Sequence, residues 1–226
     1  MPTTHSNFRI EVVEECDAAY CVDVIAQSFA SFPTEQRLGN TADAEDRRAA
    51  TLRHRAAWQE HFEDTGWWPP IKCIHTDPHS REEMVVAVAE WFIHPKPLPR
   101  NDARGANYLI SGAWLPVSDR EKVRSYMDNT FRLREKWSAN RGFGLLMYIA
   151  TDPAWRRQGA ATMCVQWGID RCRELGIPAY LEASKEGSPV YQRLGFEVVD
   201  EIRMELDGEI MEFPAMMWRD KTAAPR

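Results

Sequence analysis

The sequence lacks the features of a membrane-spanning or exported chain. No run among its 226 residues approaches the roughly 18 consecutive apolar residues that a transmembrane helix requires. The N-terminal stretch MPTTHSNFRI contains no apolar segment of the kind found in a secretory signal peptide. None of the five cysteines forms a Cys-x-x-Cys pair, so neither a disulfide framework nor a zinc site is indicated. We therefore expect a cytoplasmic protein that makes no membrane contact.

A surplus of basic residues is also absent. The chain has 28 Lys and Arg against 34 Asp and Glu, a net charge of −6, and its basic residues are scattered. This composition argues against a nucleic-acid surface, although a few clustered arginines can still bind an anionic cofactor. His75, Asp77 and His79 have the spacing of metal ligands, but they fall in a predicted turn with a proline, which is more typical of a solvated loop. We expect no metal.

Hydrophobic patterning predicts a mixed α/β fold. Alternating or continuous apolar runs predict strands over Phe8–Val13, Ile71–Thr76, Met84–Phe92, Leu145–Thr151, Ala179–Ala183, Phe196–Leu206 and Ile210–Arg219. Helices are predicted from an Asp17 N-cap to Phe29, over Ala44–Glu63, over Ala160–Leu175 with Gly176 following, and from a Ser188 cap to Leu194. The second and third strands should form a hairpin. The fourth strand, its helix and the fifth strand should form a βαβ unit with a parallel strand pair.

The stretch from Pro95 to Arg141 is best interpreted as an insertion. It begins with a proline-rich loop, and its one clear helix signal is the capping box Ser118-Asp119-Arg120-Glu121. A segment this short and polar cannot build its own core. We therefore expect one domain over residues 1–226, with the insertion packed on it.

The most informative local pattern is the turn from Arg156 to Ala161, with the sequence RRQGAA. It joins a buried strand to a helix, and its small residues leave backbone amides unshielded at the positive end of the helix dipole. Such a turn can bind phosphate or pyrophosphate, and the two arginines add charge-assisted contacts. It lacks the glycines of a dinucleotide site and the lysine of an NTP site. Taken alone, the turn is equally compatible with a capped helix that carries exposed arginines.

The order of elements in the last third of the chain resembles the GNAT (GCN5-related N-acetyltransferase) superfamily. The resemblance is carried by Leu145–Thr151, the Arg-x-x-Gly-x-Ala turn of Arg156–Ala161, and Pro189–Phe196 with the sequence PVYQRLGF. Pro178–Phe196 is most similar to the puromycin N-acetyltransferase type and to fungal small-molecule acetyltransferases. The resemblance implies about seven strands, splayed between the fourth and fifth, with an acetyl-CoA-binding core over residues 143–200.

The same resemblance implies a set of cofactor-binding residues. The backbone of the fourth strand would pair with the pantetheine arm of acetyl-CoA, and amides of the turn would hold the pyrophosphate. Many members carry an asparagine after the fifth strand; Ser184 stands at that spacing here, so Ser184 or Ser188 would have to replace it. The implied residues are Ile149, Ala150, Thr151, Arg156, Arg157, Gln158, Gly159, Ala160, Ala161, Ser184 and Ser188.

Transfer of an acetyl group to an amine requires a base and an acid. A free alkylamine has a pKa near ~10.4 and must lose its proton before it attacks. Glu182 is the first candidate base, Glu90 the second and Asp152 the third, although a glutamate at a strand end is more often solvated or paired. Tyr191 lies where family members carry the acid that protonates the leaving thiolate. The alternative is a core tyrosine with a satisfied hydroxyl.

The expected acceptor is the amine of a small molecule, attacked directly in a ternary complex. In the layout of the family that the chain resembles, the first two helices, their loop and the insertion form the acceptor site. The resemblance therefore implies a set of aromatic residues as walls of that site, with packing of the two helices onto the sheet as the alternative role for each: Phe29, Phe32, Trp67, Trp68, Trp91 and Tyr108. Two alternatives stay open: an acetyltransferase that acts on a protein lysine or N-terminus, and a non-catalytic acyl-CoA sensor. The chain could function as a monomer or a homodimer, and no nucleic-acid partner is expected.

Overall fold

The computed structural model describes residues 7–29, 45, 48–49, 51–52, 55, 70–97, 128–130, 132–138, 140–206 and 209–222. Most of the predicted helix Ala44–Glu63 lies outside these ranges, as does the capping box at Ser118–Glu121. The predicted hairpin turn at Asp207-Gly208 also lies outside them. The same holds for four of the six proposed acceptor-site aromatics: Phe32, Trp67, Trp68 and Tyr108.

Seven strands form one mixed sheet in the order β1-β2-β3-β4-β5-β7-β6, which confirms the predicted fold class and strand number. The strands are β1 (Phe8–Val12), β2 (Ile71–Thr76), β3 (Glu83–His94), β4 (Phe143–Thr151), β5 (Ala179–Glu182), β6 (Glu197–Leu206) and β7 (Glu209–Trp218). The predicted hairpin is present because β2 and β3 pair antiparallel, and the predicted parallel pair is formed by β4 and β5.

Helices with described bounds that accompany the sheet are α1 (Ala18–Phe29), α2 (Ala160–Leu175) and α3 (Ser188–Arg193). Short 3₁₀ turns cover Glu15–Asp17 and Pro153–Trp155, and residues 128–130 and 132–138 are helical. We refer to the latter residues as the 128–138 segment. Gly176 follows α2 with φ = +65°, the left-handed conformation that favours glycine at a helix end. None of the helices in the described ranges is long and apolar enough to cross a bilayer.

The chain divides into two compact units, one of Met1–Trp91 with Tyr148–Trp167 and one of Phe92–Met147 with Gly168–Arg226. In the first unit, α1 packs its apolar face against β3 and the end of β4. The apolar residues of α1 recur at helical spacing, which explains why one face of the helix is buried. The buried cluster consists of Val13, Ala18, Cys21, Val24, Ile25, Val88 and Ala150.

The start of α1 differs from the prediction that Asp17 is its N-cap. Asp17 ends the preceding 3₁₀ turn, and its carboxylate accepts a hydrogen bond from the backbone N–H of Glu14 at 2.8 Å. The same carboxylate binds Lys72 Nζ at 2.5 Å, and Lys72 on β2 is only 6% exposed. The carboxylate therefore ties α1 to β2, because a buried lysine requires a paired charge.

In the second unit, β4 and β5 pair over only a short ladder. The pairs are Gly144–Ala179, Leu145–Tyr180 and Leu146–Leu181, whereas β4 continues to Thr151. On its other side β5 pairs antiparallel with β7, and β7 pairs with β6. A ladder that stops this early is what the expected splay between the fourth and fifth strands requires.

Gly142 permits the close approach of two backbone segments at the start of β4. A Cβ at this position would lie 2.5 Å from the carbonyl oxygen of Pro95 and 2.6 Å from that of His94. Contacts this short are sterically forbidden, and neither oxygen can move without moving the end of β3. The sequence Gly142-Phe143-Gly144, predicted to mark the start of a strand, does so at Phe143.

The 128–138 segment, which belongs to the predicted insertion, is attached to β5 and β6 by polar contacts. The Asn129 side-chain amide donates to the carbonyl oxygen of Arg203 at 3.5 Å. Arg134 binds Glu182 through two hydrogen bonds, each 2.8 Å long, and Lys136 binds Asp200 at 2.6 Å. The segment therefore covers this part of the sheet.

Candidate cofactor and catalytic site

The connection from β4 to α2 is held in place by local contacts within the first unit. Asp152 Oδ1 accepts a hydrogen bond from the backbone N–H of Ala154 at 2.8 Å and so caps the 3₁₀ turn. Trp155 then packs its ring on His75, with ring centroids 4.3 Å apart, and edge-on against Phe8. These contacts fix the position at which the Arg156–Ala161 turn begins.

The backbone of the turn contains two residues with positive φ. Arg157 has φ = +64° and Gly159 has φ = +97°. A left-handed non-glycine residue is uncommon and costs about 1 kcal/mol or more. Arg81 and Asn140 share this conformation elsewhere in the chain. Successive amides on either side of such a residue converge on one concave surface, which suits a phosphate oxygen.

Helix α2 adds further donors directly after the turn. Its first backbone bond runs from Met163 N to Gly159 O at 3.0 Å, so the amides of Ala160, Ala161 and Thr162 precede the hydrogen-bonded ladder. The side chains of Arg156 and Arg157 are exposed beside these amides. Donor groups, dipole and charge all fit a pyrophosphate.

The three residues expected to bind the pantetheine arm lie at the end of β4. The β4–β5 ladder ends at Leu146, so Ile149, Ala150 and Thr151 are not part of it. Ala150 is buried in the α1 cluster, whereas its two neighbours are half-buried. Thr151 O accepts a hydrogen bond from Ser28 Oγ at 2.9 Å, which fixes the strand end against α1.

Tyr191 lies on α3 in the second unit and is 8% exposed. Its ring meets Phe196 edge-on, with centroids 5.9 Å apart. Burial raises the pKa of Tyr191 to about 12, because the phenolate would lose its hydration. The side chain is therefore a neutral hydroxyl at physiological pH and can donate a proton.

Ser184 and Ser188 shape the turn that leads into α3. Ser184 Oγ accepts a hydrogen bond from the Gly187 N–H at 3.0 Å, and Ser184 O accepts one from the Ser188 N–H at 3.0 Å. The helix cap is Gly187, so the prediction of a Ser188 cap is wrong. The Ser188 hydroxyl instead lies 3.7 Å from Met216 Sδ.

Gly187 is a site residue that sequence reasoning missed. It lies one helical turn before Tyr191, and an added Cβ would come within 3.0 Å of the tyrosine ring. The spacing of four residues was the available signal. It could not be interpreted without knowing that the ring folds back over the glycine.

Glu182, the first candidate base, is bound to Arg134 by both carboxylate oxygens, as described for the 128–138 segment. The two side chains are only 15% and 12% exposed. The neighbouring Tyr180 has a raised pKa, first because it is buried and second because of the Glu182 charge. The pair therefore anchors the 128–138 segment to β5.

Glu90, the second candidate, is buried on β3 and 2% exposed. Its neighbour Trp91 is fully buried and donates from Nε1 to the carbonyl oxygen of Cys164 on α2 at 3.2 Å. Because side chains alternate along a strand, Glu90 faces the opposite side, which it shares with Val88 and the α1 cluster. Trp91 thus packs the core instead of lining an open acceptor site.

The predicted site residues fall into two groups. The first unit holds the turn, the end of β4 and Glu90, whereas the second holds Glu182, Ser184, Ser188 and Tyr191. Among the described residues, the one cluster with metal-ligand spacing is Glu14, Cys16 and Asp17 at the surface. Asp17 is already paired there with Lys72.

Residues 53–196 match the family model described as Acetyltransferase (GNAT) family. An acetyltransferase from Stachybotrys chartarum is 26% identical over 148 residues, which cover 63% of this chain and 62% of that protein.

Two solved structures are similar in fold. Arylalkylamine N-acetyltransferase 2 from Aedes aegypti has a TM-score of 0.63 and 14% identity, covering 93% of this chain and 98% of its own. A phosphinothricin acetyltransferase from Sinorhizobium meliloti, in complex with acetyl-CoA, has a TM-score of 0.54 and 11% identity, with coverage of 97% and 94%. At these identities the likeness concerns the fold alone. Because the family match spans more than half of its residues, the chain belongs to the acetyltransferase (GNAT) family.

Proposed function

We propose that the protein is an acetyl-CoA-dependent N-acetyltransferase that acts on the amine of a small molecule by direct attack in a ternary complex. The observation that carries the proposal is the conformation of the β4–α2 turn, with left-handed Arg157 and Gly159 at the start of a helix. Membership of the acetyltransferase family supports it.

Acetyl-CoA supplies an activated acetyl thioester when it is bound. Amides from Arg157 to Ala161 hold its pyrophosphate, with Arg156 and Arg157 adding charge, and the backbone of Ile149–Thr151 holds its pantetheine arm. Ser184 Oγ accepts from Gly187, so its hydroxyl proton remains available to a ligand. Ser184 and Ser188 take the place of the asparagine that many family members carry.

Tyr191 is the acid in this proposal. Its buried hydroxyl keeps its proton across the physiological range because its pKa is raised to about 12. The hydroxyl hydrogen can pass to the sulfur atom that leaves, so the departing group need not be expelled as a bare thiolate.

Glu90 is the better candidate for the base, acting directly or through a water molecule. Both oxygens of Glu182 are occupied by Arg134, and this pair anchors the 128–138 segment to β5. Glu90 lies on the face of β3 that it shares with Val88 and the α1 cluster. In this proposal Glu182 has a structural role, as the partner of Arg134, and Glu90 is the base.

A small acceptor is favoured because the 128–138 segment is tied to β5 and β6 at several points. The 128–138 segment covers this part of the sheet, whereas a protein substrate needs an open groove. The arylalkylamine enzyme with a similar fold suggests one amine class to test. A cytoplasmic location and the choice between monomer and homodimer stay predictions from the sequence.

The first test is release of free thiol from acetyl-CoA in the presence of an acceptor panel. The panel contains an arylalkylamine, a polyamine, a short aliphatic amine, a lysine peptide and a peptide with a free N-terminus. We expect turnover with at least one small amine and at least 100-fold lower kcat/KM with both peptides. Preference for a peptide would replace the small-molecule assignment, and tight acetyl-CoA binding without any thiol release would favour a sensor.

Replacement of Tyr191 by Phe tests the acid. We expect kcat to fall about 100-fold or more, the usual contribution of a general acid, while acetyl-CoA binding changes less than about twofold. In the wild type, the proton of Tyr191 is present below a pKa of about 12 and lost only above it, so its titration should not lower the rate below about pH 11. Tyr180→Phe removes another buried hydroxyl and serves as control. Unchanged turnover in Tyr191→Phe would show that Tyr191 is not the acid.

The two candidate bases are separated by Glu90→Gln and Glu182→Gln. We expect Glu90→Gln to lose about 100-fold in kcat at neutral pH and to recover at higher pH, where the amine loses its proton unaided. Glu182→Gln should lower the free energy of unfolding by about 3 kcal/mol, since Arg134 loses its partner, with kcat per folded molecule within about threefold. The reverse result would make Glu182 the base.

A further inference from the structure

We infer that Gly187 is a positioning residue that determines where Tyr191 presents its hydroxyl group. The inference rests on the proposed function, in which that hydroxyl donates a proton. In this inference, a residue without a side chain determines the position of the acidic hydroxyl group.

The backbone at Gly187 does not itself require glycine. Its φ is −77° and its ψ is −32°, in the right-handed helical region that every residue type adopts. Gly176 and Gly195 are different, with φ = +65° and +92°, where a side chain causes strain. The reason for a glycine at position 187 must therefore lie in its surroundings.

The surroundings are dominated by the ring of Tyr191. A Cβ on residue 187 would lie 3.0 Å from Tyr191 Cε2, 3.3 Å from Ser184 Oγ and 3.5 Å from the Tyr191 hydroxyl oxygen. The first distance is shorter than ordinary van der Waals contact between carbon atoms. The Cε2 edge of the ring thus lies closer than a methyl group at position 187 allows, whereas the hydroxyl oxygen would be in ordinary contact with that methyl group.

Backbone contacts limit how Gly187 itself could respond to a methyl group. Its N–H donates to Ser184 Oγ at 3.0 Å, and its carbonyl oxygen accepts from the N–H groups of Val190 at 2.9 Å and Tyr191 at 3.3 Å. Ser184 thus holds the N–H group of Gly187, and the first turn of α3 holds its carbonyl group. Relief of the contact therefore falls on the tyrosine side chain.

The Tyr191 ring also contacts a second side chain. Phe196 meets it edge-on, and the Phe196 N–H donates to the carbonyl oxygen of Tyr191 at 3.0 Å. A ring that contacts both the glycine and the phenylalanine relieves an added methyl group by tilting, and tilting moves the hydroxyl oxygen most because it lies farthest from Cβ. A tilt that relieves the methyl contact displaces that oxygen by roughly 0.5 Å, and a displacement of about 1 Å can cost on the order of 100-fold in rate.

The decisive variant is Gly187→Ala, measured alone and together with Tyr191→Phe. We expect Gly187→Ala to lower kcat about tenfold and to leave the Kd for acetyl-CoA within about twofold. In the Tyr191→Phe background, the same substitution should change kcat less than about twofold, since the hydroxyl it misplaces is already gone. An equal loss in both backgrounds would overturn the inference.

A second readout needs no acceptor. In protein labelled with ¹³C in its tyrosine rings, Tyr191→Phe assigns the Tyr191 signal, and Gly187→Ala should shift that signal while the other tyrosines keep theirs. Gly176→Ala is the matched control: it adds a methyl with nothing within 4 Å, but it strains a left-handed residue. It should lower stability and leave both kcat and the Tyr191 signal unchanged.

The outcomes separate the two levels of the proposal. An unshifted Tyr191 signal in Gly187→Ala overturns the positioning role, whatever the activity. A shifted signal with full turnover in Tyr191→Phe supports the positioning contact and rejects Tyr191 as the acid. If no acceptor yields turnover, the ring signal alone decides whether Gly187 sets the position of Tyr191.

Discussion

The structure depends most on how the chain leaves β4 and enters α2. Asp152 caps the short turn after the strand, Trp155 packs on His75, and the backbone then takes left-handed conformations at Arg157 and Gly159. The left-handed conformation of Arg157 costs about 1 kcal/mol or more. It becomes intelligible if the exposed amides at the head of α2 bind an anionic group, because several hydrogen bonds to a doubly charged pyrophosphate offset about 1 kcal/mol many times over.

In the second unit, packing and burial determine the position and the protonation of Tyr191. Contacts with Phe196 and Gly187 fix the ring of Tyr191. Burial raises the pKa of its hydroxyl group and so keeps the group protonated. The Arg134–Glu182 pair holds the 128–138 segment against β5. A pair this buried loses much of its Coulomb energy to desolvation, so its main effect is to specify where the segment lies.

Local patterns predicted much of the fold, and the bounds of β2 and α2 agree with the prediction at both ends. Both have strong signals: an apolar run between turn residues, and a helix that ends at a glycine. β3 extends to His94, whose ring packs on that of Phe92 with centroids 4.1 Å apart, and a sequence ending in His-Pro does not suggest this extension. Likewise, nothing in the sequence indicated that Glu182 pairs with Arg134, which lies 48 positions earlier. Both depend on tertiary packing, which leaves no periodicity in the sequence.

The most direct measurement is the binding of acetyl-CoA and of acetyl-pantetheine, which lacks the pyrophosphate and the nucleotide, to the wild type and to Gly159→Ala. A methyl group on a residue with φ = +97° should distort the backbone that presents the amides of the turn. We predict at least tenfold weaker binding of acetyl-CoA and a change within about twofold for acetyl-pantetheine, with Gly176→Ala binding both like the wild type. Equal weakening of both ligands, or no weakening of either, would contradict the assignment of the turn as the pyrophosphate site.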